Sequence, residues 1–177
     1  GGNGNDYIVA GAGGDQINGG QGDDTIDGGV NGAVDQWGHI PSDTAQFSGN
    51  YERYVVTTGN DTHGDFVEVK DTEADGDGTD KLYNVENLAF NDRWVRLGVE
   101  TWAWKDPTTN KTHGVSINGS ILADNIDTSK DEYTGLNHHI QGMEGNDTLT
   151  GGNSPDDFWG GAGDDSIIAV SYTHLTL

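Results

Sequence analysis

Gly1-Gly2-Asn3-Gly4-Asn5-Asp6-Tyr7-Ile8-Val9 is followed directly by Ala10-Gly11-Ala12-Gly13-Gly14-Asp15-Gln16-Ile17-Asn18, then by Gly19-Gly20-Gln21-Gly22-Asp23-Asp24-Thr25-Ile26-Asp27. The period is nine, with Asp at 6, 15 and 24 and Ile at 8, 17 and 26. Self-similarity at a fixed short period marks a repeat architecture, in which each unit buries its apolar residue only against its neighbours. Gly28-Gly29 opens a fourth unit that soon loses the pattern, and 38–46 reads as a fifth, with Asp43 in the Asp place and Ala45 in the apolar place. The unit returns in strict register over 142–150, 151–159 and 160–168, where Asp147, Asp156 and Asp165 each precede an apolar residue by two. Upstream of these, 133–141 fits with His138 where Asp is expected, and 119–127 fits loosely through Asp124 and Ile126.

The unit has a physical logic. Gly at the first, second and fourth places lets the backbone take positive φ and turn tightly. Such a turn aims carbonyl oxygens inward, and Asp at the sixth place adds a carboxylate. The apolar eighth residue points into a thin core from a three-residue strand. Two aliphatic side chains per 18 residues bury too little to offset the ordering of the backbone while neighbouring Asp residues repel. A cation between turns supplies attraction and removes the repulsion. Oxygen donors without thiolates select a hard ion, and carbonyls mixed with carboxylates suit Ca²⁺ better than Mg²⁺.

Composition agrees. The 177 residues carry 8 Lys+Arg against 30 Asp+Glu, a formal charge of −22. Leu, Ile, Val and Phe make up about a fifth of the chain, a level that with so large a charge describes a disordered polymer. The 29 Gly bury almost nothing, so one ordinary core spanning the chain is excluded. Zero Cys removes disulfides and thiolate zinc sites. No apolar run is long enough to span a membrane. The acidic balance argues against nucleic acid, which requires clustered Lys/Arg. There is no initiator Met or signal peptide, and Gly1 starts inside a patterned run, so the N-terminus reads as a cut.

These units resemble the RTX (haemolysin-type) calcium-binding nonapeptide, Gly-Gly-x-Gly-x-Asp-x-apolar-x. The middle of the chain is similar, more loosely, to the β-rich segment that follows such blocks in bacterial exoproteins, through Asp43-Thr44-Ala45-Gln46-Phe47-Ser48-Gly49, Asp77-Gly78-Thr79-Asp80-Lys81-Leu82 and Val85-Glu86-Asn87-Leu88-Ala89-Phe90. The resemblance implies an all-β fold: right-handed parallel β-roll blocks flanking a small β-rich segment. The expected parts are a roll block over 1–47, the β-rich segment over 48–98, a connector over 99–118 and a second roll block over 119–169. The tail 170–177 matches one frame of a common transposase-type sequencing adapter and is expected to be non-native.

The resemblance also implies the ligands. Each ion is held by the second, fourth and sixth places of one unit and the first, third and sixth of the next but one. One site then uses Gly2, Gly4 and Asp6 with Gly19, Gln21 and Asp24. Another uses Met143, Gly145 and Asp147 with Gly160, Ala162 and Asp165. Gly11, Gly13 and Asp15 face the damaged fourth unit, where Ala33 stands at the Asp place. Gly20, Gly22 and Asp24 pair with Gly38, Ile40 and Asp43. Thr134, Leu136 and His138 face Gly151, Asn153 and Asp156, a site expected to be weak or empty because His is a poor Ca²⁺ ligand.

Other motifs are weaker. Asp71-x-Glu73-x-Asp75-Gly76 has the opening of an EF-hand loop, but Leu82 occupies the twelfth place, so a solvated turn is favoured. His138-His139 diverge on a strand and read as repeat positions. Trp102, Trp104 and Trp159 read as connector packing or roll-edge cover before a sugar platform. Gly114-Val115-Ser116-Ile117-Asn118 lacks the fifth-place Gly of a nucleophile elbow. No catalytic constellation is expected. The expected function is a calcium-binding repeat module, secreted or at the bacterial surface, that folds on Ca²⁺ outside the cell and supports export through type I secretion machinery. The alternatives are an adhesin segment binding a surface glycan or protein, and the C-terminal part of a secreted metalloprotease, lipase or epimerase.

Overall fold

Short strands separated by Gly turns wind into flattened coils in which each turn contributes one strand to each of two sheets. A computed structural model of the chain describes residues 1–33, 40–130 and 135–169, and the backbone of 173–176. The chain divides into two units, Gly1–Leu97 and Gly98–Leu177.

In the first unit Tyr7–Ala12, Thr25–Val30 and Thr79–Tyr83 lie side by side in parallel, which stacks Ile8, Ile26 and Leu82 in one row. The opposite sheet is Gln16–Ile17, Thr44–Gln46 and Asn87–Ala89, also parallel, with Ile17, Ala45 and Leu88 in a second row. The nonapeptide's eighth place is the inward position of each strand because side chains alternate faces. Ile26, Leu82, Ala45 and Leu88 are at most 2% exposed. Residues 79–89 thus form the next turn of the roll, although 47–78 intervene in sequence. The hairpin Tyr54–Asp61 and Gly64–Asp71 extends the first sheet antiparallel to Thr79–Tyr83. Trp94–Arg96 closes the second sheet antiparallel to Asn87–Ala89. Under this cap, Phe47 stacks on Phe90 with centroids 5.3 Å apart, and Tyr54 packs against both rings.

The second unit repeats the plan. Thr112–Asn118, Asn137–Glu144, Asp156–Ala162 and Thr173–Thr176 run parallel, with Glu100–Lys105 antiparallel at the edge. Facing them, Asn125–Asp127, Thr148–Thr150 and Ser166–Ile168 run parallel. Val115, Ile117, Ile140 and Phe158 from the first sheet meet Ile126 and Leu149 from the second in one core. Parallel strands joined by turns this short occur because the Gly-rich turn reverses the chain onto the other sheet, not back beside the same strand. The only helix among the described residues is one short 3₁₀ turn at Tyr51–Arg53. No helix of the described residues is long and apolar enough to cross a membrane.

Candidate metal centre

The turns between the two sheets stack along the edges of each roll. Their closeness requires Gly. A Cβ on Gly20 would collide with the Gly2 carbonyl, and one on Gly22 with the Gly4 carbonyl. Gly20 and Gly22 also sit at φ +108° and +125°. Met143 holds the corresponding second place in the other block at φ +82°, a conformation that strains a side-chain-bearing residue.

Stacked turns bring the phased Asp residues into ladders. One carboxylate oxygen of Asp24, Asp43, Asp80, Asp147 and Asp165 accepts the backbone N–H of the Asp one turn earlier. Asp6 donates to Asp24 at 2.8 Å, Asp15 to Asp43 at 2.7 Å, Asp24 to Asp80 at 2.8 Å, Asp124 to Asp147 at 2.9 Å and Asp147 to Asp165 at 3.0 Å. The other oxygen, Oδ2, of Asp6, Asp15, Asp24, Asp43 and Asp147 is buried with no hydrogen-bond donor. A buried carboxylate oxygen without a partner is costly, and a row of them is costlier because like charges face one another. Burial pushes the carboxyls of Asp43 and Asp147 above their ordinary value, and it raises Asp80 to about 7, with Asp24, Asp77 and Asp23 adding repulsion.

A divalent cation fits this donor set. Among the described residues no three carboxylate or imidazole side chains converge on one point, so each gap offers two Asp, with backbone carbonyls as the remaining donors. That is the hard-oxygen chemistry of Ca²⁺ and not that of a transition metal. Gly2, Gly4 and Asp6 are brought against Gly19, Gln21 and Asp24: Gly2 N–H donates to the Gly19 carbonyl at 3.0 Å and Gly4 N–H to that of Gln21 at 2.7 Å. Met143 lies opposite Gly161, and Gly145 N–H donates to the Ala162 carbonyl at 2.8 Å, which places Met143, Gly145 and Asp147 against Gly160, Ala162 and Asp165.

Two expected Asp pairings are corrected: Asp15 faces Asp43 where Ala33 was expected, and Asp24 faces Asp80 where Asp43 was expected. Gly11 pairs with Gly29, and Gly13 N–H donates to the Val30 carbonyl at 3.1 Å. The fourth unit is therefore split, not lost: its turn is 28–32 and its Asp and strand resume at Asp43. Ala33 is exposed and stands outside the ladder, Ile40 is exposed, and Gly38 lies outside the described residues. Gly20, Gly22 and Asp24 instead face the turn 76–80, where Gly22 N–H donates to the Asp77 carbonyl at 3.3 Å. Asp77 and Asp80 were not among the sequence candidates. Their signal was present, since Gly76-x-Gly78-x-Asp80-x-Leu82 repeats places two, four, six and eight, but out of phase with the first block. Glu86 was also missed; its Oε2 accepts the Asp43 N–H at 2.8 Å, in the role an Asp has elsewhere.

The His138 edge differs. His138 N–H donates to Asp156 Oδ1 at 3.0 Å, and its Nδ1 lies 2.9 Å from the same oxygen. Asp156 Oδ2 accepts the Gly152 N–H at 3.0 Å. Both Asp156 oxygens are thus engaged by protein. Gly151 packs against this carboxylate, Asn153 is exposed, Leu136 packs on the core, and Thr134 lies outside the described residues. Asp124 is likewise engaged, by the Ser120 amide at 2.6 Å and hydroxyl at 3.0 Å. At the EF-hand-like opening, Asp71 is buried and holds Arg53 at 2.5 Å while accepting the Glu73 and Asp77 N–H groups. Its oxygens are occupied, so that turn is a structural one.

A family model of the RTX calcium-binding nonapeptide repeat matches residues 1–31 and 139–168, in four copies. The two matched stretches, 1–31 and 139–168, are RTX repeats. The ion such repeats bind is Ca²⁺, in agreement with the oxygen-only donors of the ladders. No curated protein matches the chain. The match ends at 31, before the resumed half of the split RTX unit at Asp43, and does not reach 76–80.

Proposed function

We propose that the chain is a calcium-driven folding module of a secreted bacterial exoprotein. The observation that supports this reading is the set of five Asp oxygens in the stacked turns that are buried without a donor. In the absence of the ion the ladders repel and the thin cores hold too little to order the turns. At submicromolar Ca²⁺ inside a cell the chain stays extended, which suits passage through a narrow type I channel, and outside it folds. For a site with a dissociation constant of about 0.1 mM, about 1 mM Ca²⁺ contributes roughly 1.4 kcal/mol. Several coupled sites are therefore needed, and the ladders supply them. Asp6 with Asp24, Asp15 with Asp43, and Asp147 with Asp165 carry the ions. Titration with Ca²⁺ from zero to several millimolar, followed by circular dichroism, should show a cooperative gain of β signal that Mg²⁺ does not reproduce. An unchanged spectrum overturns the reading.

A second reading, a glycan-binding face, is favoured by one feature of the second unit. Trp102 and Trp104 project from the edge strand, and Trp159 lies three strands across the same sheet, level with Glu100 and so about 16 Å from Trp102 and about 20 Å from Trp104. All three are exposed. Between them Asn118, His139 and Gln141 are half-buried on the same face, with Ser116 buried beneath them, and His139 packs on Trp159 with centroids 4.4 Å apart. Aromatic faces separated by amides and hydroxyls suit the alternating C–H and O–H surfaces of a neutral polysaccharide, while the acidic chain disfavours an anionic one. Retention on neutral glycan columns in calcium, lost in a Trp102→Ala/Trp104→Ala variant, tests it.

A further inference from the structure

Four hydrogen bonds of the first inter-turn step of the first unit recur at a place where the sequence has no contiguous repeat, while the Gly2 N–H to Gly19 carbonyl bond has no counterpart there among the described residues. In the first step Asp6 N–H donates to Asp24 Oδ1, Asp23 N–H to Asn5 Oδ1, Gly4 N–H to the Gln21 carbonyl and Thr25 N–H to the Asp6 carbonyl. In the second step Asp24 N–H donates to Asp80 Oδ1, Thr79 N–H to Asp23 Oδ1, Gly22 N–H to the Asp77 carbonyl and Lys81 N–H to the Asp24 carbonyl. Gly78, at φ +90°, packs on the Gly22 carbonyl as Gly22 packs on that of Gly4. Gln21 Nε2 also reaches the Asp75 carbonyl at 3.0 Å, which fixes the start of the second turn.

Among the described residues the neighbouring cations, Lys81 and Arg53, turn away from the gap so formed. Asp24 is 1% exposed with its Oδ2 undonated, and Asp80 is 2% exposed. Lys81, next to Asp80, turns its ammonium away to Asp61 at 3.3 Å and over the Phe66 ring at 4.3 Å. Arg53 is engaged by Asp71 and Glu73. We propose that residues 75–80 complete a Ca²⁺ site with Gly20, Gly22 and Asp24, and that this ion clamps the antiparallel cap, residues 48–71, to the roll. The inference rests on the calcium reading above. It assigns the carbonyls of Asp75 and Asp77 and the carboxylate of Asp80 as the far half of the ligand set.

The clamp follows from what the same turn holds. The Asp77 side chain accepts the Ser48 N–H at 2.7 Å, the Ser48 hydroxyl at 2.7 Å and the Tyr54 hydroxyl at 2.5 Å. The Asp77 N–H in turn donates to Asp71, at the end of the hairpin. One peptide turn thus faces the ion with its carbonyls and the cap with its side chain. Ordering the turn by metal orders the start and the end of the cap together.

The test uses the full chain and an Asp80→Asn variant, which keeps an acceptor for the Asp24 N–H. Calcium stoichiometry is read by isothermal titration, and backbone protection by hydrogen exchange over 48–83 and over 139–168. The variant should bind one ion fewer. The calcium midpoint for protection of 48–83 should rise at least tenfold while that of 139–168 stays put. Without calcium the variant should be protected at least as well as the parent, because one repelling charge is gone. An unchanged ion count overturns the proposal, as does equal loss of protection with and without calcium, which would mark a packing role. An Asp77→Asn variant should keep its full ion count and loosen only 48–54; loss of an ion there overturns the assigned ligand set. If the parent responds to calcium over 139–168 but not over 48–83, this inference fails alone. If it responds nowhere, the underlying calcium reading fails.

Discussion

Two gaps in the second unit share a backbone and differ in what fills them. Asp147 N–H donates to Asp165 Oδ1 at 3.0 Å, and on the opposite edge His138 N–H donates to Asp156 Oδ1 at 3.0 Å. The turns stack alike. Yet Asp147 keeps a buried oxygen without a donor, whereas Asp156 is supplied by an imidazole nitrogen and by the Gly152 amide. The β-roll step is therefore a property of the backbone, and whether its carboxylates are satisfied by protein is a property of one side chain per gap. A donor in the sixth place satisfies the facing carboxylate; a carboxylate there leaves a buried oxygen without a donor.

The comparison can be broken by exchanging the two behaviours. His138→Ala should have the largest effect, because it strands the buried Asp156 carboxylate. We expect a loss of about 3–5 kcal/mol, the same with and without calcium, measured by denaturant unfolding. A loss that calcium restores would place an ion on this edge as well. Asp147→Ala should cost about 2–3 kcal/mol in calcium, from the lost ion and the Asp124 amide left without an acceptor, and much less in chelator, with one ion fewer by titration.

The pH dependence of the calcium-free chain separates the two kinds of gap further. Asp80 has a folded-state value raised to about 7, above the ordinary 3.8, so the folded form holds its proton more tightly than the unfolded one. Stability of the chelated protein should then be greatest near pH 4, fall as pH rises, and reach its low plateau above pH 7. Saturating calcium should flatten that slope, and proton release on binding near pH 6 should accompany it. Thermal melts of the first unit's β signal at pH 5 and pH 7.5, with and without chelator, check this. A chelated protein more stable at pH 7.5 than at pH 5 contradicts it. The smallest effect is expected at Met143→Gly, which relieves a positive φ and should raise stability by about 0.5–1 kcal/mol, visible as a small upward shift of the melting midpoint.

Much of this was legible. The period of nine, the Gly turns and the alternation around Ile8, Ile17 and Ile26 predict stacked strands, because a parallel roll demands the same residue at the same place in each turn. The Asp places predict the ladder, and Ca²⁺ follows from oxygen donors without Cys. What escaped was continuity across interruptions. A sequence period counts every residue, but the roll counts only those that pair. The split unit's two halves stay in register although 33–42 separate them in sequence, so Asp43 meets Asp15. The 76–80 turn is out of phase for the same reason, and only its pairing with Asp24 reveals it.

The residue types alone therefore decided that the chain forms Gly turns, short strands and oxygen-rich edges, since those depend on local φ preference, alternation and the chemistry of Asp. The tertiary structure alone decided which Asp faces which, that the middle segment is both the next turn of the first roll and its cap, and that His138 and the Gly152 amide engage both Asp156 oxygens. Those outcomes depend on proximity between residues 18 to 56 positions apart, and proximity at that range is set by strand pairing, which no local pattern records.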